Sequence, residues 1–74
     1  MRSRKWYACK LEGDERARSI EGRDAQDAAI NLVQQRARGE QGRYVVLVQD
    51  GEWRRIVVAC VMEPVYRVAS SAML

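Results

Sequence analysis

The clearest pattern of apolar and polar positions lies between Arg43 and Met62, where two apolar runs flank Asp50-Gly51. Both runs are rich in β-branched and aromatic residues, which pack well on a pleated sheet. Asp-Gly tolerates the positive φ angles of a tight two-residue turn. The segment is therefore predicted to form a β-hairpin. Because two strands alone cannot shield their side chains from water, other elements must cover it.

The residues before this hairpin predict a second one. Residues 5–12 alternate between two sets of side chains, as in a strand with two different faces. Gly13-Asp14 interrupts this pattern, and residues 15–22 resume it with Ile20 as their large apolar residue. We expect this second run to be a short edge strand whose charges discourage further pairing.

One helix is predicted between the two hairpins. Asp24 is a suitable N-cap, Asp27 complements the first turn, and Gly39 fits a left-handed position after the last turn. The apolar residues in between follow the i, i+3, i+4 spacing of a helix that buries one stripe: Ala25, Ala28, Ala29, Leu32, Val33 and Ala37. This stripe is narrow, so the helix can cover only one face of a sheet.

After the central hairpin, Glu63-Pro64 interrupts the pattern, since proline has no amide proton to donate. Residues 65–68 are expected to form a last short edge strand or to continue a bent one, and residues 69–74 a frayed tail. The whole chain of 74 residues is predicted to be one α+β domain of order ββαββ, with a possible further strand. One helix would pack on one face of a mainly antiparallel, four- to five-stranded sheet.

The predicted two-residue turn places Val48 opposite Trp53 and divides the central hairpin into two faces. The face assigned to the helix carries Val45, Leu47, Ile56, Val58, Cys60 and Met62. The other face carries Tyr44, Val46, Val48, Trp53, Arg55, Val57, Ala59 and Val61. Both faces are apolar, so the second is expected to be an exposed binding surface unless a coiled sheet or the chain ends bury it. The candidate binding residues are Tyr44, Trp53, Arg55, Trp6 and Arg54.

Two classes of partner suit this predicted surface. Tryptophan, tyrosine and arginine dominate protein interfaces, which favours a protein partner or a second copy of the chain in a homodimer. The net charge of +3 and the aromatic sheet face also fit a single-stranded nucleic acid. The 13 cationic residues are, however, interleaved with ten acidic ones, and no nucleic-acid-binding motif is present. We therefore expect a protein-interaction or homo-oligomerising module, with nucleic-acid binding as the alternative.

Composition argues against catalysis and cofactor binding. The chain has no histidine, so general base chemistry and metal ligation lack their commonest side chain. Cys9 and Cys60 lie between apolar neighbours in predicted strands and are expected to be reduced and buried. A disulfide would require their strands to be adjacent. No segment approaches the roughly 18 apolar residues that span a membrane, and no signal-peptide apolar region follows the basic start, so a cytoplasmic location is expected.

Overall fold

A computed structural model describes residues 5–62 and 65–74. The elements in chain order are β1 (Lys5–Leu11), β2 (Arg18–Gly22), α1 (Ala25–Ala37), β3 (Gly42–Asp50), β4 (Glu52–Met62) and β5 (Val65–Met73). The strands form one sheet of order β2-β1-β3-β4-β5, and every neighbouring pair is antiparallel. Helix α1 lies across one face of this sheet and contacts all five strands. The predicted α+β class, with one helix on an antiparallel sheet, is confirmed.

Local sequence signals determine where α1 begins and which stripe it buries. The Asp24 carboxylate accepts a hydrogen bond from the Asp27 amide at 2.8 Å, and the Asp27 carboxylate accepts one from the Arg23 amide at 2.9 Å. The first bond satisfies an amide that the first turn leaves without a helical partner, and the second ties the residue before the N-cap to the helix. At the other end Gly39 follows the C-cap with a φ of 84°, as predicted, and Arg38 before it is also left-handed, with φ 54°. The predicted apolar stripe is buried in full.

A close approach between α1 and β2 explains one glycine. A Cβ atom placed on Gly22 would lie 2.6 Å from the main-chain nitrogen of Ala28 and 2.9 Å from its Cα. Main-chain atoms cannot move aside as a flexible side chain would, so this position has no room for any larger residue. Glycine at the end of β2, together with the small side chains of α1, therefore brings the helix directly onto the sheet.

The central hairpin has a register one residue away from the prediction. Gln49, not Val48, lies opposite Trp53, and Asp50 is paired with Glu52 around Gly51, whose φ is 75°. A shift of one residue moves every side chain of a strand to the opposite face. The prediction for β3 is therefore wrong. The sequence does not distinguish the alternatives, because both sets of side chains on this strand are apolar.

The corrected register determines the core. On the face covered by α1, the side chains of the central hairpin that are buried are Val46, Val48, Ile56, Val58 and Cys60. Tyr7, Cys9 and Ile20 extend this buried cluster into β1 and β2. The assignment of the β4 residues Ile56, Val58 and Cys60 to the helix side is confirmed. Val45 and Leu47 lie on the opposite face instead, and Tyr44, Val46 and Val48 replace them.

One of the two edge strands of the sheet is longer than predicted. β2 is a short edge strand, as predicted. β5, however, continues to Met73, and the Leu74 amide donates a hydrogen bond to the Trp53 carbonyl at 3.1 Å, where a frayed tail was expected from residue 69. Serine and alanine give little strand signal in a sequence, whereas the main-chain ladder with β4 is independent of side-chain type. Glu63 and Pro64 lie outside the described residues.

Candidate interaction surface

We use the term open face for the side of the sheet opposite α1. The strand pairings place the following residues on it: Trp6, Ala8 and Lys10 of β1; Ser19 and Glu21 of β2; Arg43, Val45, Leu47 and Gln49 of β3; Trp53, Arg55, Val57, Ala59 and Val61 of β4; and Arg67, Ser70 and Ala72 of β5, with Leu74 following. No other described element covers this side. The open face is therefore an accessible surface along the whole sheet.

The centre of the open face is an apolar strip. Val45 is directly opposite Val57, while Leu47 and Ala59 lie one step away on either side of this pair. All four side chains are half-buried although no helix covers them. They shield one another as cross-strand neighbours, which is the usual way in which a sheet face stabilises itself. The strip keeps enough exposed apolar surface to favour contact with another molecule.

Trp53 extends this strip towards the hairpin turn. Its ring is half-buried, and the Lys10 ammonium group lies 5.8 Å from the ring centroid. Lys10 is paired with Leu47 and so reaches Trp53 diagonally across β3. A cation at this distance is attracted to the negative face of an indole ring by about 0.5–1 kcal/mol at an exposed site. The contact places a positive charge beside the largest aromatic surface of the strip.

Positive charge predominates around the strip. Among the described residues of the open face, the cationic ones are Lys10, Arg43, Arg55 and Arg67, and the acidic one is Glu21. Glu12, just beyond β1, adds a second carboxylate, and its Oε2 lies 4.0 Å from the Arg55 Nε. Both side chains of that pair are well exposed, so water and salt screen the attraction and leave Arg55 accessible to other acidic groups.

The structure separates the five candidate residues into two groups. Trp53 and Arg55 lie on the open face, as does Trp6, which is 66% exposed. Trp6 is paired with Glu21 of the edge strand β2, and at that edge it lines a pocket together with Asn31 of α1. Tyr44 and Arg54 are on the side covered by α1. The prediction that Tyr44 shares a face with Trp53 is therefore wrong, as a result of the shifted hairpin register.

Tyr44 and Arg54 have structural surroundings instead. The Tyr44 hydroxyl donates a hydrogen bond to the Glu40 carbonyl at 2.8 Å while its ring packs against the core. Burial of this hydroxyl, with a smaller effect from the Glu40 carboxylate, raises the pKa of Tyr44. Arg54 faces a small pocket beside the start of α1, lined by Asp24, Ala25, Gln26 and Asp50. Arg54 and Arg55 are adjacent in sequence, but their side chains lie on opposite faces of the sheet because successive residues of a strand alternate in direction.

Sequence reasoning missed Val45, Leu47 and Lys10 as members of this surface. Lys10 is four residues after Trp6 in the same strand, so the alternation of side chains in β1 already placed both on one face. Val45 and Leu47 could be assigned only with the correct hairpin register, and the two-residue turn suggested by Asp50-Gly51 gave the wrong one.

The two thiols take no part in this surface. Cys9 and Cys60 are both free and buried, as predicted, and both lie on the helix side of the sheet. They belong to β1 and β4, which β3 separates, so they are not placed to form a disulfide. Burial raises the pKa of Cys9 to about 11, and its Sγ lies 3.6 Å from the Tyr7 carbonyl. Cys9 is therefore a protonated thiol at neutral pH and a poor nucleophile.

Residues 5–62 and 65–74 contain neither a metal site nor a membrane-spanning helix. No group of three or more cysteine or acidic side chains is arranged to hold a metal ion, and no helix there is long and apolar enough to cross a membrane. Comparisons with family models, curated proteins and solved structures also gave no match to this chain. The geometry and charge of the open face are consequently the features of this chain that indicate a function.

Proposed function

We propose that this chain is a non-enzymatic interaction module whose open face binds an acidic surface of a partner protein. The observation that supports this most directly is the apolar strip on the side of the sheet that α1 leaves uncovered, with cations around it. Binding would bury the exposed part of this strip, at roughly 25 cal/mol for each Å² of apolar surface removed from water. A small domain gains specificity from such a surface without any catalytic group.

Trp53 and Arg55 are the expected centres of binding energy. They are two residues apart in β4, so their side chains are neighbours on the same face of the sheet. Tryptophan and arginine are the residues most often found as hot spots, where truncation costs 2 kcal/mol or more. Lys10, close to both the Trp53 ring and the strip, supplies a second cation for an acidic partner.

Charge favours an acidic partner over a second copy bound face to face. Each open face, counted together with Glu12, carries four cations and two carboxylates. Two such faces brought together would therefore place two surfaces of net positive charge against each other. Like charges opposed across an interface are destabilising, and their desolvation adds to the cost. A partner with apolar residues at its centre and carboxylates at its rim complements both features of the open face.

Single-stranded nucleic acid is the second candidate, and the contact between Lys10 and Trp53 beside Arg55 favours it. Stacking of bases requires accessible aromatic rings along the binding path. Here the centre of the face is aliphatic, and Trp6 lines a pocket at the edge strand β2. These features favour an acidic protein surface.

The experiment that tests the proposal is an NMR titration of the ¹⁵N-labelled chain with three probes. They are a peptide of alternating glutamate and leucine, a peptide of alternating lysine and leucine, and an oligothymidine. We expect only the glutamate peptide to shift the amides of Leu47, Arg55 and Val57 and the Trp53 indole. Charge complementarity predicts this selectivity, because the two peptides have the same apolar content.

Two variants of equal charge provide the control. Arg55→Glu should weaken binding of the glutamate peptide by about tenfold or more, since it reverses a charge at the centre of the face. Arg16→Glu makes the same change at an exposed position between β1 and β2 and should leave the affinity unchanged. Equal binding of both peptides, or shifts confined to α1, would contradict the proposal. Binding of oligothymidine alone, weakening with salt at a slope of about 0.7 per neutralised phosphate, would favour the nucleic-acid alternative.

A further inference from the structure

The two edges of the sheet differ in how well they are protected against pairing with another strand. β2 has five residues, including Arg18 and Glu21, and the Asn31 side chain of α1 donates a hydrogen bond to the Glu21 carbonyl at 2.7 Å. Short length, charge and capped main-chain groups all discourage strand addition. β5 has nine residues, and the segment from Val68 to Leu74 has no charged side chain. β5 therefore lacks most of the devices that protect an edge.

From this contrast we infer that β5 is the dimerisation edge of the chain, where it pairs antiparallel with β5 of a second copy. The part available for pairing begins after Ala69, because Val57 is opposite Ser70 while Val58 is opposite Val68, which leaves Ala69 as a bulge. From Ser70 onward the ladder with β4 is regular up to the hydrogen bond of the Leu74 amide.

The main-chain geometry determines which groups are available on the outer side. The Leu74 amide points towards β4, since it donates to the Trp53 carbonyl. Main-chain groups alternate in direction along a strand of an antiparallel sheet, so those of Ala72 and Ser70 also point inward. The amides and carbonyls of Ser71 and Met73 consequently point away from the sheet. They form a short row of donors and acceptors that is open to water in the single chain and has the spacing to which another strand can pair.

One register satisfies these groups and keeps every side chain on its proper face. If Ala72 faces Ala72 of the second copy, Ser71 of each chain faces Met73 of the other. The amide and carbonyl of both residues then form hydrogen bonds across the edge, four in total. Ser70 faces Leu74 on the open face. Each exposed apolar side chain, Met73 at 55% and Leu74 at 68%, is thus placed beside a serine with room for it.

The symmetry of this pairing has a consequence for the open face. A two-fold axis through the paired Ala72 residues is perpendicular to the sheet, so it leaves both helices on one side and both open faces on the other. Leu74 follows Trp53 across the sheet, and beyond it would come Ser70 and Val57 of the second copy. The dimer would present one continuous open face twice the size of that of a single chain.

Sedimentation equilibrium of the full chain across a concentration series tests the inference. The wild-type mass should rise from 8.5 kDa towards twice that value. Met73→Pro removes an outward amide without disturbing the ladder with β4, and it should keep the chain at 8.5 kDa. Ser19→Pro removes an amide from the opposite edge and should still dimerise. Ser71→Lys, which keeps the amide but adds a charge to the edge, should also abolish the dimer.

Cross-linking tests the register independently. Ala72→Cys places two thiols directly opposite each other at the two-fold axis, where Cβ atoms are about 4.5–5.5 Å apart, and oxidation should give a covalent dimer. Ser70→Cys places its thiol opposite Leu74 and should cross-link far more slowly. A wild-type chain of 8.5 kDa at every concentration would overturn the inference. So would a dimer that Met73→Pro leaves intact, or equal cross-linking of the two cysteine variants.

Discussion

The register of the central hairpin predicts opposite stabilities for two adjacent valine substitutions. Val46 is fully buried beneath α1, whereas Val45 lies half-buried on the open face. Val46→Ala deletes two methyl groups from a packed interior. At about 0.8 kcal/mol per buried carbon, plus a term for the cavity left behind, it should lower the free energy of unfolding by roughly 2–3 kcal/mol. Val45→Ala deletes the same groups from a partly exposed site and should cost about 1 kcal/mol or less.

Urea unfolding followed by tryptophan fluorescence or circular dichroism measures both values. A difference of 1 kcal/mol shifts the melting temperature of a domain of this size by about 4–8 °C, so a thermal melt resolves the pair as well. The two variants have the same composition and strand propensity, so each is the control for the other. The two-residue turn suggested by the sequence predicts the reverse order. A larger loss for Val45→Ala than for Val46→Ala would therefore refute the register described above.

Three further outcomes follow from the structure. Gly22→Ala should cost about 1–3 kcal/mol in urea unfolding, because the added methyl group meets the main chain of Ala28. The hydrogen bond that Arg36 donates at 2.7 Å lowers the pKa of Asp14 in the folded chain. This pair therefore stabilises the fold above the pKa of the unfolded carboxyl, and the stabilisation is lost as the pH falls through the lowered pKa. Asp14→Asn should remove this part of the acid transition in thermal melts recorded at a series of pH values. Cys9 is fully buried, and burial raises its pKa to about 11. A thiol reagent should therefore modify Cys9 only at the rate at which the chain unfolds. Rapid modification of Cys9 in the native chain would contradict its burial.

The candidate surface was only partly predictable from the sequence. The excess of apolar residues over what one narrow helix can cover indicated an open face, and Trp53 and Arg55 were assigned to it correctly. Tyr44 was assigned to the wrong face because one residue of register error reverses a strand. Trp6 lies on the open face as well, but it lines a pocket at the edge strand β2, which no sequence pattern indicated.

The sequence by itself determined the elements whose signals are local. Asp24 and Asp27 mark the start of α1, the spacing of its alanines and leucine marks the buried stripe, and Asp50-Gly51 marks the hairpin turn. Each of these depends on residues within a few positions of one another. Only the tertiary structure decided the hairpin register and the length of β5, because both β3 faces are apolar and Ser70-Ser71-Ala72 has little strand propensity. In both cases the choice depends on pairing with β4 and packing against α1, which are interactions between residues distant in the chain.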